Sequence, residues 1–233
     1  MKTIGLLGGM SWESTAEYYR IANEVVRERL GGFHSAKLLI DSVDFADIEE
    51  LQRADQWDAA GTLLSERAVA LQDAGAELIV LCTNTMHLVA PAIESAITVP
   101  FLHIADATAA AVRDAGLRKV ALLGTGFTMR MPFLRERLAA HGLTVLVPDE
   151  PDIQIVHQVI YDELVHGVIT EDSRALYRGV MDRLVAEGAE GVILGCTEIE
   201  LLITDADSPV PVFPTTRLHV VAAIDAALRG EAR

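Results

Sequence analysis

One stretch of the chain occurs twice, and that duplication restricts the possible folds more than any other feature. Residues 74–89 read AGAELIVLCTNTMHLV and residues 186–203 read AEGAEGVILGCTEIELLI. Gly75, Ala76 and Glu77 align with Gly188, Ala189 and Glu190. An apolar run follows in each copy and ends in a cysteine and a threonine, Cys82-Thr83 and Cys196-Thr197. A second pair of runs, Ile4–Gly8 and Val120–Gly124, ends in glycine turns. The pairs are offset by 114 and 116 residues, so a unit of about half the chain is repeated. The prediction is an α/β chain of two pseudo-symmetric lobes, each a parallel sheet flanked by helices, with the site in the cleft between them.

Short apolar runs alternate with longer helical stretches, which implies parallel strands linked by helices. Strands are predicted at 2–7, 37–43, 77–82 and 100–103, then at 119–123, 143–147, 191–195 and 210–213. Helices are predicted over 12–30, 45–52, 57–74, 86–95, 105–115, 132–141, 151–166, 171–187 and 216–229, with a further helix after Thr197. Ser11 is placed to cap the first helix, and Gly31-Gly32 to stop it. The last helix has no counterpart in the first half, so it is predicted to cross back. The first lobe is then 1–103 plus 210–233, and the second 104–209.

The chain has 233 residues, 51 % of them hydrophobic, enough for a substantial core. No apolar run reaches the roughly 18–20 residues that span a bilayer. The start, MKTIGLLGGMSWE, is too interrupted for a signal peptide, so a cytoplasmic protein without membrane partners is expected. The net charge of −15 argues against nucleic acid, which needs a basic face. The seven histidines show no metal-ligand spacing, and neither HExxH nor CxxC occurs, so no metal is expected.

The two cysteines are the only ones in the chain. Each falls where a buried strand ends and a helix begins, the edge at which open α/β sheets bind ligands. A cysteine there could be a small hydrophobe. Two at equivalent repeat positions point instead to function. A helix start favours the thiolate, and a thiolate facing a thiol is a base and an acid on opposite sides of a substrate. Gly5–Met10 and Gly124–Met129 do not fit GxGxxG. They are either tight turns or donors of amides to a carboxylate. Thr83, Asn84 and Thr85 offer hydroxyls, an amide and helix-start N–H groups for the same purpose, as does Thr197. Glu198 is read mainly as an acidic residue favouring a first helical turn.

The segments IGLLGGMSWEST at 4–15, CTNTMH at 82–87, IYDELVHGVIT at 160–170 and GCTEIELL at 195–202 resemble the pyridoxal-phosphate-independent aspartate/glutamate racemase family. The opening and the LQ…W segment at 51–57 look most like its broad-specificity amino-acid racemase branch. The resemblance implies a homodimer, no cofactor, and an amino-acid substrate whose α-proton is exchanged by Cys82 and Cys196. It implies substrate contacts from Met10, Gln52, Thr83, Asn84, Thr85, Thr125 and Thr197. Two positions depart from the aspartate-selective pattern: Gln52 stands where arginine is expected, and His166 where lysine is expected. Glutamine cannot match an arginine fork on a side-chain carboxylate, so a neutral or polar substrate such as homoserine joins aspartate and glutamate. Gln52 could equally be a surface residue. His166 offers a part-time positive charge or is a solvated helix end.

Other readings are a related two-cysteine isomerase or decarboxylase acting on hydantoins, maleate or arylmalonates, and a non-catalytic amino-acid-binding protein. A thiol hydrolase would pair Cys82 with His87 and leave Cys196 without a task.

Overall fold

The computed structural model describes residues 1–229. The chain divides into two compact units, Met1–Ile104 with the residues from His219 on, and Ala105–Leu218.

In the first unit, β1 (Ile4–Gly8), β2 (Leu38–Ser42), β3 (Leu78–Leu81) and β4 (Phe101–Leu102) form a parallel sheet in the order β2-β1-β3-β4. In the second, β5 (Lys119–Gly124), β6 (Thr144–Leu146), β7 (Val192–Gly195) and β8 (Val212–Pro214) form a parallel sheet in the order β6-β5-β7-β8. The two orders are the same permutation, so the repeat in the sequence is a repeat of topology.

The apolar runs are continuous because both faces of each sheet are covered. Along β1 and β3 the side chains alternate between faces. Ile4, Leu6, Leu78, Val80 and Cys82 pack with Tyr18, Ile21 and Val25 of helix Trp12–Leu30 and with Val220 and Ile224 of the last helix, Thr215–Leu228. Leu7, Ile79 and Leu81 point the other way, onto Leu64, Ala68 and Leu71 of helix Trp57–Asp73. In the second unit, Ala121, Leu123, Val192 and Leu194 pack against helices Glu150–Asp162 and Glu171–Ala186.

Ser11 caps helix Trp12–Leu30, its hydroxyl accepting the Ser14 amide at 3.2 Å. The turn before it depends on glycine. Gly9 has φ +94°, and a Cβ there would lie 2.1 Å from the carbonyl oxygen of Val43. A Cβ on Gly8 would lie 2.4 Å from the Thr15 hydroxyl.

Several boundaries differ from expectation. Residues 210–218 belong to the second unit rather than to a returning first lobe, because β8 pairs in register with β7, Val192 opposite Val212. The crossing back starts at His219. The expected extent to 233 includes residues 230–233, which lie outside the described residues. The helix expected over 86–95 is a 3₁₀ segment, Thr85–Val89, followed by helix Ala90–Ala96. Pro91 suits the first turn of that helix, where its missing N–H costs nothing. The helix expected over 151–166 stops at Asp162. A 3₁₀ turn, Leu164–His166, follows and ends at Gly167 with φ +71°. The helix expected over 132–141 is there as Phe133–Ala140, and a further short helix that was not expected, Gly126–Arg130, precedes it.

Candidate active site

In a parallel sheet, loops at the carboxyl ends of adjacent strands share an edge. In the first unit that edge carries Gly9 and Met10 after β1 and Cys82–Thr85 after β3. The Cys82 amide donates to the carbonyl of Leu7 at 2.9 Å, which ties the two loops together. The Cys82 carbonyl accepts the Ser14 hydroxyl at 3.1 Å. The side chain of Cys82 is fully buried on the face shared with Leu78 and Val80. Burial in apolar surroundings pushes its thiol pKa well above the ordinary range. Burial thus works against the thiolate that a helix start was expected to favour. The segment after it is a short 3₁₀ turn, whose dipole is too small to offset desolvation.

Asn84 and Thr85 are buried and Thr83 is half-buried. His87 holds this loop in place. Its Nε2 accepts the amide of Ile104 at 3.1 Å, so the ring proton sits on Nδ1 and donates to the carbonyl of Thr83 at 2.7 Å. With its acceptor nitrogen occupied by a backbone amide, His87 cannot take a proton from Cys82. The pairing required of a thiol hydrolase is thus absent from this geometry.

Gln52 is buried, only 6 % exposed, which overturns its reading as a surface residue. Its Nε2 lies 2.9 Å from the Sδ of Met86. Met86 and Met10 belong to the same apolar cluster, so Gln52 brings a neutral polar group into a sulfur-rich apolar setting.

The second unit repeats the edge. Gly124 and Gly195 are partners in register, which places Thr125 after β5 beside Cys196 after β7. Thr125 caps helix Gly126–Arg130, its hydroxyl accepting the Thr128 amide at 3.3 Å. Cys196 is half-buried and its Sγ donates to Glu198 Oε2 at 2.9 Å. Its pKa is pushed well up, first by burial and then by the negative charge of Glu198. The helix after it, Ile199–Leu202, is one turn long and offers little compensating dipole. Thr197 is buried, with its hydroxyl 3.0 Å from that of Thr216. His166 lies exposed in the 3₁₀ turn Leu164–His166.

Of the two readings of the glycine turns, tight turn or amide donor, the Gly9 and Gly126 amides fit the first. The Gly9 amide donates to the Thr15 hydroxyl at 2.8 Å, and the Gly126 amide donates to Nδ1 of His157 at 3.1 Å. Both groups are already used inside their own unit. Glu198, read from sequence mainly as an acid favouring a first helical turn, instead turns back to accept from the Cys196 thiol. One residue with a clear role, His157, was not singled out from sequence. His157 gives no signal, because its partner is 31 residues away.

Among the described residues, no group of three or more His, Cys, Asp and Glu could hold a metal ion, and no helix is long and apolar enough to cross a membrane.

Comparison with known proteins matches this arrangement. The family model for Asp/Glu/hydantoin racemases matches residues 7–223. The broad-specificity amino-acid racemase RacX of Bacillus subtilis is 24 % identical over 219 residues, covering 91 % of this chain and 92 % of that protein. A crystal structure of a candidate Asp/Glu racemase from Yersinia pestis is 53 % identical, with a TM-score of 0.93 over 98 % of this chain and 100 % of that one. An aspartate racemase homologue from Pyrococcus horikoshii is 37 % identical, with a TM-score of 0.86 over 97 % of this chain and 99 % of that one. The duplicated sheets, the paired cysteine loops and these matches over nearly the whole length show that the chain belongs to the Asp/Glu/hydantoin racemase family and is an isomerase of the racemase type.

Proposed function

We propose that this protein interconverts the L and D forms of an amino acid without a cofactor, Cys82 and Cys196 exchanging the α-proton of one substrate. The observation that carries the reading is the equivalence of the two thiols. Each follows the same strand of the same four-stranded order, at the edge where ligands bind.

Burial raises the pKa of both thiols, so the reaction needs a proton acceptor. In this reading Glu198 takes the Cys196 proton, and the substrate's ammonium favours the thiolate so formed. The thiolate then removes the α-proton: the C–H bond breaks and an S–H bond forms. The Cys82 thiol delivers its proton to the other face of the carbanion, which closes the C–H bond and leaves Cys82 as thiolate. The Cys82 thiolate then takes a proton from water and Glu198 gives its proton back to water, which restores both thiols; in the reverse direction Cys82 first loses its proton to water and Cys196 is the donor. Thr83, Asn84, Thr85, Thr125 and Thr197 hold the substrate carboxylate, whose enediolate-like form gains most from donors acting away from water.

Gln52, with Met10 and Met86, supports a neutral or polar side chain such as that of homoserine over aspartate or glutamate. A buried glutamine brings no charge to a side-chain carboxylate. The breadth given in the name of the Bacillus relative is in keeping with this. The reading carries with it a homodimer in the cytoplasm.

The test is a panel of single L-amino acids in deuterated water, scored for the D form and for deuterium at the α-carbon with no cofactor added. Cys82→Ala and Cys196→Ala should each abolish racemisation. Either variant working at the wild-type rate would rule out the two-thiol exchange.

A further inference from the structure

The two glycine turns are held by different chemistry. In the first unit the Gly9 amide is satisfied by the Thr15 hydroxyl, an acceptor that does not titrate in the physiological range. In the second unit the Gly126 amide is satisfied by an imidazole nitrogen, Nδ1 of His157. The bond spans two elements, from helix Glu150–Asp162 to the first residue of helix Gly126–Arg130. Gly126 directly follows Thr125, the capping residue at the second cysteine's edge. The space is close: a Cβ on Gly126 would lie 3.5 Å from the same His157 nitrogen and 2.2 Å from Arg130 Nη1.

We infer that neutral His157 is a positioning residue, which holds the Thr125–Gly126 turn in its working geometry only while Nδ1 is unprotonated. A protonated imidazole carries N–H on both nitrogens, so Nδ1 would then oppose the Gly126 N–H instead of accepting it. The surroundings oppose that protonation. Phe127 sits edge-on at 6.5 Å between ring centres, and Tyr161 is tilted at 4.6 Å. Burial lowers the His157 pKa first, the charge of Arg130 lowers it further, and Asp162 works weakly the other way. Arg130 is itself paired with Glu150 at 2.5 Å. Acid therefore releases the second unit's turn and leaves the first unit's intact. The link to catalysis rests on the racemase reading, whereas the link between His157 and Gly126 does not.

The test uses the full-length protein labelled with ¹⁵N. The Gly126 amide and the His157 ring resonances should shift together in one transition below the ordinary histidine pKa of about 6.5, with the Gly9 amide unmoved. In His157→Gln, whose side-chain oxygen can still accept, the transition should vanish while the amide stays protected. In His157→Phe, Gly126 exchange at neutral pH should rise about tenfold, the loss of one hydrogen bond. A Gly126 transition that survives in His157→Gln, or one absent from the wild type, overturns the proposal; both readings stand even if His157→Phe does not fold. For activity, the acid limb of kcat/KM should follow the Gly126 transition and flatten in His157→Gln. An acid limb unchanged in His157→Gln refutes the positioning role in catalysis. If Gly126 titrates as described but no amino acid is racemised, the racemase reading fails and the His157–Gly126 device stands.

Discussion

Removing the charge of Asp207 should destabilise the second unit by an amount that depends on pH. Asp207 ends the 3₁₀ turn Asp205–Asp207, just after the short helix that follows Cys196. Its carboxylate accepts the Thr204 amide at 3.0 Å and the Thr204 hydroxyl at 2.9 Å, and it pairs with Arg178 at 2.6 Å and Arg174 at 3.1 Å. The side chain is 6 % exposed. Burial raises its pKa. The Thr204 amide, Arg178, the Thr204 hydroxyl and the charge of Arg174 together outweigh burial and hold the pKa at about 2, against an ordinary 3.8. A depressed pKa means stability that is fully present above the unfolded value and lost as pH falls through the folded one, here between about pH 4 and pH 2. The shift is worth about 2 kcal/mol at neutral pH. Arg178 is 44 % exposed, and solvent screening of that partner brings the expected loss to about 1–2 kcal/mol. Asp207→Asn keeps an acceptor for Thr204, removes the charge and loses the oxygen that accepts from Arg178. Urea unfolding of both proteins from pH 7 to pH 3 should show this difference at pH 5–7, reduced to about half at pH 3. A difference that stays constant with pH, or none at pH 7, would refute the reasoning.

Three other perturbations follow from the same geometry. Glu198→Gln removes the charge that adds to burial in raising the Cys196 pKa, so alkylation of Cys196 should begin at lower pH than in wild type, while kcat falls about 10²–10⁴-fold for lack of a proton acceptor. An unchanged alkylation profile would break the link between the two residues. Gln52→Arg introduces a cation into the neutral setting beside Met86 and should move the kcat/KM ratio toward aspartate over homoserine by about tenfold or more, the scale of one charge-assisted contact. No change in the ratio would remove Gln52 from the side-chain subsite. Gly9→Ala forces φ +94° on an L-residue and drives a methyl toward the Val43 carbonyl, so a loss of at least about 2 kcal/mol in urea unfolding is expected; a smaller loss would mean that the turn relaxes easily.

The repeat, the eight strands and their parallel pairing were legible in the sequence because they depend on local pattern. An apolar run flanked by a glycine turn and a helical stretch has few other uses, and two copies of the pattern imply two copies of the sheet. Capping by Ser11 is equally local, since donor and acceptor are three residues apart. The unit boundary was not local. Whether 210–218 joins one sheet or the other depends on which strand edge is open to Val212, and that edge belongs to β7, about twenty residues earlier in the chain. The break at Pro91 could have been read from sequence, but periodicity alone ran the helix through it.

The chemistry divides the same way. Sequence placed Cys82 and Cys196 at matching strand ends, and the family resemblance singled out their neighbours, but it could not set their protonation. A thiol after a strand looks activated by the helix that follows. Only the folded chain shows that both helical segments are short and that burial raises both thiols, with Glu198 adding to it at Cys196. Gln52 reads as surface until helix Phe45–Arg53 turns it onto Met86. The acceptors of the Gly9 and Gly126 amides are a hydroxyl six residues away and an imidazole thirty-one residues away. What a residue is, and which strand or turn it occupies, follows from its near neighbours; what charge it carries and which atom it touches follows from residues brought close by packing, because electrostatics and hydrogen bonds depend on distance in space rather than along the chain.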